Sequence, residues 1–441
     1  MENQFDIIKL IKNDISEKTN KYIARKYYNY KQNKDNDEFS FVDISGRTQT
    51  ISEKSKLYTN YFRMIVNQKI DYLFAKEPSL KKNQIYSSVK IVSLLEDLLL
   101  NASQDTVGWM QFYIEDNDLD WLIIPDKEII PFYDRYNKKL EEVIKYFLIE
   151  KDVFYVEHWT LSGLNTYKIH KDKITDFKQQ QHFKTKVYYN ENDIEKEVLS
   201  NFKSIPFIPL YNNKSKESDL VGIKELLDMY NSINSGLIEN INIFQEFIVK
   251  LKGFAGDNET LQSTLDNMVR FKAMSLPDNS DADYMKVDIP TEARKLMLDV
   301  LKENIFLTSQ SMDPTKIGDG NLTNIVIQSR YAALDMKANR TEKQVKIFYE
   351  KFVKFIKDFY KKDFDDEINC NRSMLFNITE AIKNCNDSKD VVSNETILDN
   401  HPFVKNTKEE LKRIEKEKMN NNNNKNIDDN KNINDNDDNN D

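Results

Sequence analysis

Residues 230–251 read YNSINSGLIENINIFQEFIVKL. Tyr230, Leu237, Phe244 and Leu251 recur at a spacing of seven, and Ile233, Ile241 and Ile248 fill a second seam. A sustained seven-residue repeat with two seams predicts a long helix over 223–252 packed against other helices. One flanking helix is too short to cover such a seam, so neighbouring copies of the chain are expected to complete its burial.

The chain on either side is organised around this helix. Gly253, Gly256, Pro277 and Pro290 break a mixed segment over 253–290, and a second helix is expected over 291–310. A loop at 311–323 holds Pro314, Gly318 and Gly320. The longest helix then runs over 324–361, where Val345, Phe348, Phe352, Phe355 and Phe359 alternate by three and four. Further helix is expected at 375–384 and 407–419. The end, 420–441, is almost only Asn, Asp, Ile and Lys; its six Asp against Lys425 and Lys431 hold −4 of the −9 net charge. Such a composition buries no apolar face and predicts disorder.

Upstream, Phe5, Ile8, Ile11 and Ile15 form a helical stripe within 1–30, and 31–50 is polar and irregular. Thr50 and Glu53 fit a capping box opening a helix through Tyr61, Phe62, Ile65, Val66, Ile70 and Leu73, which stops before Pro78. A short apolar helix follows around Ile91–Leu100. Over 107–190 the pattern changes to short β-branched and aromatic runs, Phe112–Ile114, Trp121–Ile124, Val143–Ile149 and Val153–Trp159, which predict an antiparallel sheet. Pro206 and Pro209 make 205–209 an edge or extended segment. The expected class is α+β, mainly helical.

Composition narrows the function. The 441 residues are 39% hydrophobic, enough for real cores, and 31% charged. A net charge of −9 argues against a simple nucleic-acid binder with a basic footprint, but not against a protein along which DNA must slide. Cys370 and Cys385 match no metal spacing and are expected as free thiols in a reducing cytoplasm. No run is long and apolar enough for a membrane helix, and Met1–Lys12 lacks a signal-peptide layout.

Catalytic motifs are missing. There is no G-x-x-x-x-G-K-[ST], no G-x-S-x-G and no H-E-x-x-H, so neither cofactor nor metal is expected. His158, His170, His182 and His401 have no ligand spacing. Glu115, Asp116, Asp118 and Asp120 read first as a solvated acidic turn, as do Asp363, Asp365, Asp366 and Glu367. The alternative is a metal-dependent nuclease or maturation enzyme using those carboxylates. Lys337, Arg340, Lys343, Lys346, Lys351, Lys354 and Lys357 line one helix, but Glu342, Glu350 and Asp358 interleave with them as in an ordinary exposed face.

The order of several short motifs is more informative. Residues 61–73, Tyr61-Phe62-Arg63-Met64-Ile65-Val66-Asn67-Gln68-Lys69-Ile70-Asp71-Tyr72-Leu73, resemble a helix of the portal proteins of siphophages of Gram-positive hosts, with Ala75 in place of the usual glycine before Lys76-Glu77-Pro78. Ile205–Pro209, Asn212-Asn213, Ser218-Asp219-Leu220 and Ile223–Ser235 follow in that family's order. So do Phe247–Gly253, Ser329–Glu350, and the tail Ser393-Asn394-Glu395-Thr396, Pro402-Phe403-Val404, Glu409-Glu410. At the start of the long helix, Asn321-Leu322-Thr323-Asn324-Ile325 depart from the usual small pair.

The resemblance implies a portal-type subunit of a dodecameric ring. It implies an α/β wing over 1–222 with part of the long helix, stem helices at 223–252 and 291–310, a small mixed clip at 253–290 and a helical crown at 362–419. It also implies a tunnel loop at 311–323 facing the DNA channel with Met312, Asp313, Lys316, Ile317, Asp319 and Asn321. Tyr230, Ile233, Leu237, Ile241, Phe244, Ile248 and Leu251 would then be ring contacts of the stem. The implied partners are double-stranded DNA, the major capsid protein, a scaffolding protein, the terminase large subunit and a head-completion adaptor. The implied location is the portal vertex of the virion, reached from the host cytoplasm. A helical scaffold or adaptor that is never a conduit is the other non-enzymatic reading.

Overall fold

The structure is a computed structural model. It describes residues 2–19, 23–29, 38–42, 48–52, 57–80, 88–171, 173–189, 194–243, 248–252, 257, 259–260, 262–263, 266, 281–285, 291–316, 323–363, 366–372, 377–404 and 406–417. The chain divides into two compact units, Met1–Ser311 with Met336–Arg372, and Met312–Asp335 with Ser373–Asp441.

The first unit is built on antiparallel sheets. Strands β4 (Val107–Glu115), β5 (Asp118–Ile124) and β13 (Phe207–Tyr211) form one, in the order β13-β4-β5. Pro209 sits opposite Trp109 on the edge strand β13, where its missing N–H is tolerated. Strands β6 (Ile129–Tyr133), β7 (Leu140–Glu150), β8 (Val153–Thr160), β9 (Gly163–His170) and β10 (Lys173–Gln180) form a second, in the order β10-β9-β8-β7-β6. Its two faces are both covered, and β7 shows how. Val143 packs with Trp109, Ile124, Trp159 and Phe207, whereas its neighbour Ile144 packs with Ile7 and Ile11 of α1 (Glu2–Thr19). Successive residues of a strand face opposite ways, so one strand serves two cores. The expected α1 stripe is displaced by one residue at its start, since Ile7 is buried and Ile15 is exposed.

α3 (Tyr61–Phe74) and α4 (Ser88–Asp105) pack beside these sheets. Gly108 marks the closest approach of α4 to β4. A Cβ there would lie 2.3 Å from the Leu98 carbonyl oxygen, a backbone atom that cannot swing aside. The long helix, Asn324–Tyr360, lays an aromatic stripe on the other side of β4. Phe112 stacks on Phe355 at 4.4 Å and on Phe352 at 5.4 Å, and Phe202 meets Phe355 at 5.2 Å. The three-and-four spacing of these phenylalanines puts them on one face, as the sequence predicts.

Three sequence expectations fail, each for a physical reason. The polar segment before α3 contains a hairpin, β1 (Glu38–Val42) with β2 (Thr48–Ser52), and Thr50 lies in β2 instead of capping a helix. Thr48, Thr50 and Ile51 are β-branched and favour the strand. The α3 helix therefore opens at Tyr61, after Asn60, with no side-chain cap. The third failure concerns the quoted seam itself. The helix there, α5 (Lys224–Ile243), ends at Ile243, and Ile248–Lys252 is a strand, β14, paired with β15 (Asp281–Met285). In Ile248-Val249-Lys250-Leu251-Lys252 the seven-residue repeat coincides with a two-residue alternation, and the register sets Lys250 opposite Asp283 and Lys252 opposite Asp281.

The second unit takes the first turns of the long helix and joins them to helices Ile378–Asp387, Asn394–Asn400 and 407–417. Its caps are explicit. The Asn377 side chain accepts from the Glu380 N–H at 3.1 Å, and the Glu380 carboxylate accepts from the Asn324 N–H at 2.6 Å. Ser393, first residue of the Ser-x-Glu-Thr motif, caps its helix by accepting from the Thr396 N–H at 3.3 Å.

The aromatic stripe should dominate the stability of the first unit. Phe352→Ala removes a ring that is 2% exposed and contacts Phe112 and Trp121. It is expected to cost about 3–5 kcal/mol, read as a lower urea midpoint at unchanged slope.

Candidate functional site

The helix pair carrying the expected stem residues is α5 (Lys224–Ile243) and a return helix, Thr291–Thr308. Tyr230 of α5 is half-buried against α3. Its ring meets Tyr61 edge-on at 5.3 Å, and its hydroxyl oxygen accepts from the Tyr61 hydroxyl at 3.2 Å. Tyr61 also meets Phe306 of the return helix at 5.7 Å. Ile233 and Leu237 are half-buried on α5. Ile241 lies on α5 but its side chain is outside the described residues, as is all of Phe244. Ile248 and Leu251 belong to β14, so the structure does not bring the seven seam residues onto one helix.

The return helix has two apolar faces. Leu301, Ile305 and Phe306 are buried, while Leu296, Val300 and Leu307 form a stripe on the far side, exposed by 66%, 45% and 68%. Sequence reasoning passed over this stripe, although its spacing of four and seven is visible in it.

Of the expected loop residues, Ile317, Asp319 and Asn321 lie outside the described residues. Met312 and Asp313 are buried, and Lys316 is exposed. Asp313 accepts from the Thr315 N–H at 3.0 Å and from its hydroxyl at 2.7 Å, bracing the short turn Pro314–Lys316. A buried carboxylate committed to its own turn is not the projecting loop charge expected of it.

At the root of the helix pair lies a buried polar node. Lys69, on α3, is 0% exposed. Its ammonium donates to Ser103 Oγ at 2.6 Å, to Asn212 Oδ1 at 2.6 Å and to the Asp219 carboxylate. The other Asp219 oxygen accepts from Asn212 Nδ2 at 3.1 Å and pairs with Lys337 of the long helix at 3.3 Å. Lys337 also donates to the Ser309 carbonyl at 3.1 Å, just beyond the return helix. Ser218 donates to the Ser103 carbonyl at 2.9 Å, closing the ring of contacts. One carboxylate thus serves two cations. Burial pushes the Asp219 carboxyl up, but Lys337 and Lys69 outweigh it and hold it well below the usual carboxylate range. Burial, with the repulsion of Lys337 added, pushes the Lys69 ammonium down to about 8 against the pull of Asp219. The cavity beside the node, about 160 Å³, is lined by Asp219, Asn212, Ser309, Lys337, Arg340 and Thr341 among others.

No group of three or more His, Cys, Asp or Glu among the described residues is placed to hold a metal ion. In the acidic turn, Asp116 and Asn117 adopt positive φ to close the β4–β5 hairpin, and Asp120 pairs with Lys90 at 2.9 Å. After the long helix, Asp366 accepts from the Tyr349 hydroxyl at 2.7 Å, and Asp363 pairs with Lys357 at 3.3 Å. Burial pushes the Cys370 thiol up to about 12, which leaves it protonated and unreactive. Arrangements of this kind are structural.

Asp219→Asn strands the buried Lys69 charge and is expected to cost about 3–5 kcal/mol, with Lys69→Met in the same chain recovering most of the loss. Because the native Asp219 carboxyl is held low, its contribution is complete above about pH 4 and fades as pH falls further. Urea titrations between pH 7 and pH 2.5 should show the steeper acid loss in the wild type and a shallower one in Asp219→Asn.

Comparison with known proteins gives this geometry its context. Residues 8–424 match the family described as phage portal protein, SPP1 Gp6-like. The portal protein of Clostridium phage phiCD119 is 25% identical over 394 residues, covering 80% of this chain and 83% of that one. The portal protein of Bacillus phage SPP1 is 23% identical over 425 residues, covering 89% and 82%. A chain from the neck of an empty GTA particle superposes with a TM-score of 0.45 at 9% identity, over 77% of this chain and 88% of that one. With nearly its whole length inside the family match, the chain belongs to the SPP1 Gp6-like phage portal proteins.

Proposed function

We propose that subunits of this chain close into a dodecameric ring at one capsid vertex, and that double-stranded DNA enters and leaves the particle through the axis of that ring. Family membership across 8–424 carries this function. The exposed stripe Leu296, Val300 and Leu307 supports the assembly mode, because an apolar helix face opposite the buried one needs a neighbour to cover it. A contact between this face and a different face of the next copy is heterologous and repeats around a closed ring.

The α/β wing, the α5–return-helix stem, the β14–β15 clip and the helical crown together offer the surfaces for the major capsid protein, a scaffolding protein, the terminase large subunit and a head-completion adaptor. The loop 311–323 lines the narrowest part of the channel. With Asp313 held in its own turn, Lys316 and Asp319 are the loop charges left, and they sum to zero. A collar without net positive charge avoids the phosphate neutralisation that would hold DNA in place. The protein is a structural component of the virion, assembled in the host cytoplasm, and catalysis belongs to its partners.

The double substitution Leu296→Asp with Val300→Asp places charges on the proposed contact without touching a buried residue. Wild-type protein is expected to run as a ring and the variant as lower oligomers or monomers in light scattering, with the same circular dichroism spectrum. Rings of undiminished mass from the variant would remove the stripe from the interface.

A further inference from the structure

His182 is buried, and the partners of its two ring nitrogens fix its charge. Nε2 lies 2.7 Å from the Thr160 carbonyl oxygen, and Nδ1 lies 3.0 Å from the Phe202 backbone nitrogen. A carbonyl oxygen can only accept, and a backbone N–H can only donate. Nε2 therefore carries the ring's hydrogen and donates to Thr160, while Nδ1 is bare and accepts from Phe202. Only the neutral imidazole, in one tautomer, fits between them. A second proton would sit on Nδ1, where it would face the Phe202 N–H donor to donor. The rings of Trp159 and Phe202, with centroids 5.4 Å and 5.8 Å from that of His182, favour a cation on their faces, but they do not relieve that clash.

This imidazole stands where a hairpin meets the long helix. It precedes β11 (Phe183–Tyr189), which pairs with β12 (Ile194–Ser200), and Asn201 and Phe202 follow β12. The His182 N–H donates to Asn201 Oδ1 at 2.9 Å, and Asn201 Nδ2 donates to the Ser162 carbonyl at 2.9 Å, so the hairpin base is tied to the β8–β9 turn. Beyond it, the Phe202 ring meets Phe183 at 4.6 Å, Phe355 at 5.2 Å and Phe359 at 6.1 Å. The surroundings bring no countercharge. The turn residues Thr160, Leu161, Ser162 and Gly163 are uncharged, and Lys184 and Lys203 are exposed. Glu157 accepts from the Trp159 indole at 3.0 Å and is paired with Lys145. Burial lowers the His182 pKa from its ordinary value, and the Thr160 and Gly163 carbonyls pull the other way; among the described residues no charged side chain takes part.

We propose that His182 is a proton-operated latch: neutral, it holds Phe202 against the end of the long helix, and protonated, it gives up the Phe202 N–H and releases the hairpin base together with the contact to Phe355 and Phe359. The open chain takes up the proton near the ordinary histidine value of about 6.5, whereas the latched ring refuses it. A proton bound by the open form alone favours opening as pH falls. The latch is therefore closed above about pH 6.5, and each unit of acid below that favours the open form by up to about tenfold, until the latched ring itself protonates. The device depends on neither ring assembly nor DNA passage, since every group named belongs to one compact unit of a single chain.

The test is amide hydrogen exchange of the full-length chain at about pH 7.5 and about pH 5.5, corrected for the intrinsic pH dependence of exchange. Peptides spanning Phe202 and Phe355–Tyr360 are expected to lose about tenfold in protection between the two. His182→Gln keeps a donor for the Thr160 carbonyl but has nothing that titrates here, so its protection should no longer depend on pH, whatever its absolute level. Flat protection in the wild type, or the same tenfold loss in His182→Gln, would overturn the latch. So would a loss at Phe202 with none at Phe355–Tyr360, which would uncouple the imidazole from the long helix. Should His182→Gln not fold, exchange of the imidazole C2 hydrogen in the wild type reads the His182 midpoint directly. It is expected below the ordinary value of about 6.5, and a midpoint at or above that value would equally overturn the proposal.

Discussion

Asp219 cannot give up either of its cations without leaving a charge stranded in the interior. It accepts from Lys69, which is fully buried on α3, and pairs with Lys337 on the long helix at 3.3 Å. Through Asn212 and Ser103 the same carboxylate is tied to the chain leaving β13 and to α4. Four segments distant in sequence, α3, α4, the stretch 212–219 and the long helix, thus meet at one negative charge. Removing two charges from water costs several kcal/mol per ion, so an arrangement like this adds little net stability compared with apolar packing. Its effect is geometric, because hydrogen-bonded ions tolerate few alternative arrangements.

What that geometry fixes is the root of the helix pair. Asp219 lies just before α5, and Ser309, which accepts from Lys337, lies just after the return helix. A cation near the last carbonyls of a helix also interacts favourably with its dipole. Lys337 therefore holds the outgoing and returning ends of the hairpin at one point. The aromatic stripe of Phe352, Phe355 and Phe359 anchors the same helix on β4 and Phe202. Polar node and aromatic stripe divide the task, the second supplying cohesion and the first supplying register.

Much of this was legible in the residue pattern, and the failures are instructive. The phenylalanine spacing on the long helix and the strand texture over 107–190 translated directly into structure, because each keeps to one period. Residues 248–252 misled because they satisfy two periods at once, and the deciding partner strand is some thirty positions away. Thr50 and Glu53 misled because a capping pattern is local, whereas the hairpin pairing Thr50 with Ser40 is not. Lys69, Asn212 and Asp219 all stood inside the motifs that carried the family resemblance. Nothing in their spacing reveals that they touch, since ion pairs between distant segments leave no periodic trace. The stripe of Leu296, Val300 and Leu307 was periodic yet overlooked, because its helix was read only for the face it buries. In the first acidic cluster Asp116 and Asn117 close the β4–β5 hairpin, while Glu115, Asp118 and Asp120 stand in its strands.

The central claim is that this scaffold exists to surround a passage. Electron cryomicroscopy of the purified full-length chain tests it most directly. The expected result is a closed dodecameric ring, with the Leu296, Val300 and Leu307 face buried between neighbouring subunits and an axial channel wide enough for duplex DNA. A monomer, an open filament, or a closed assembly with no continuous channel would contradict it.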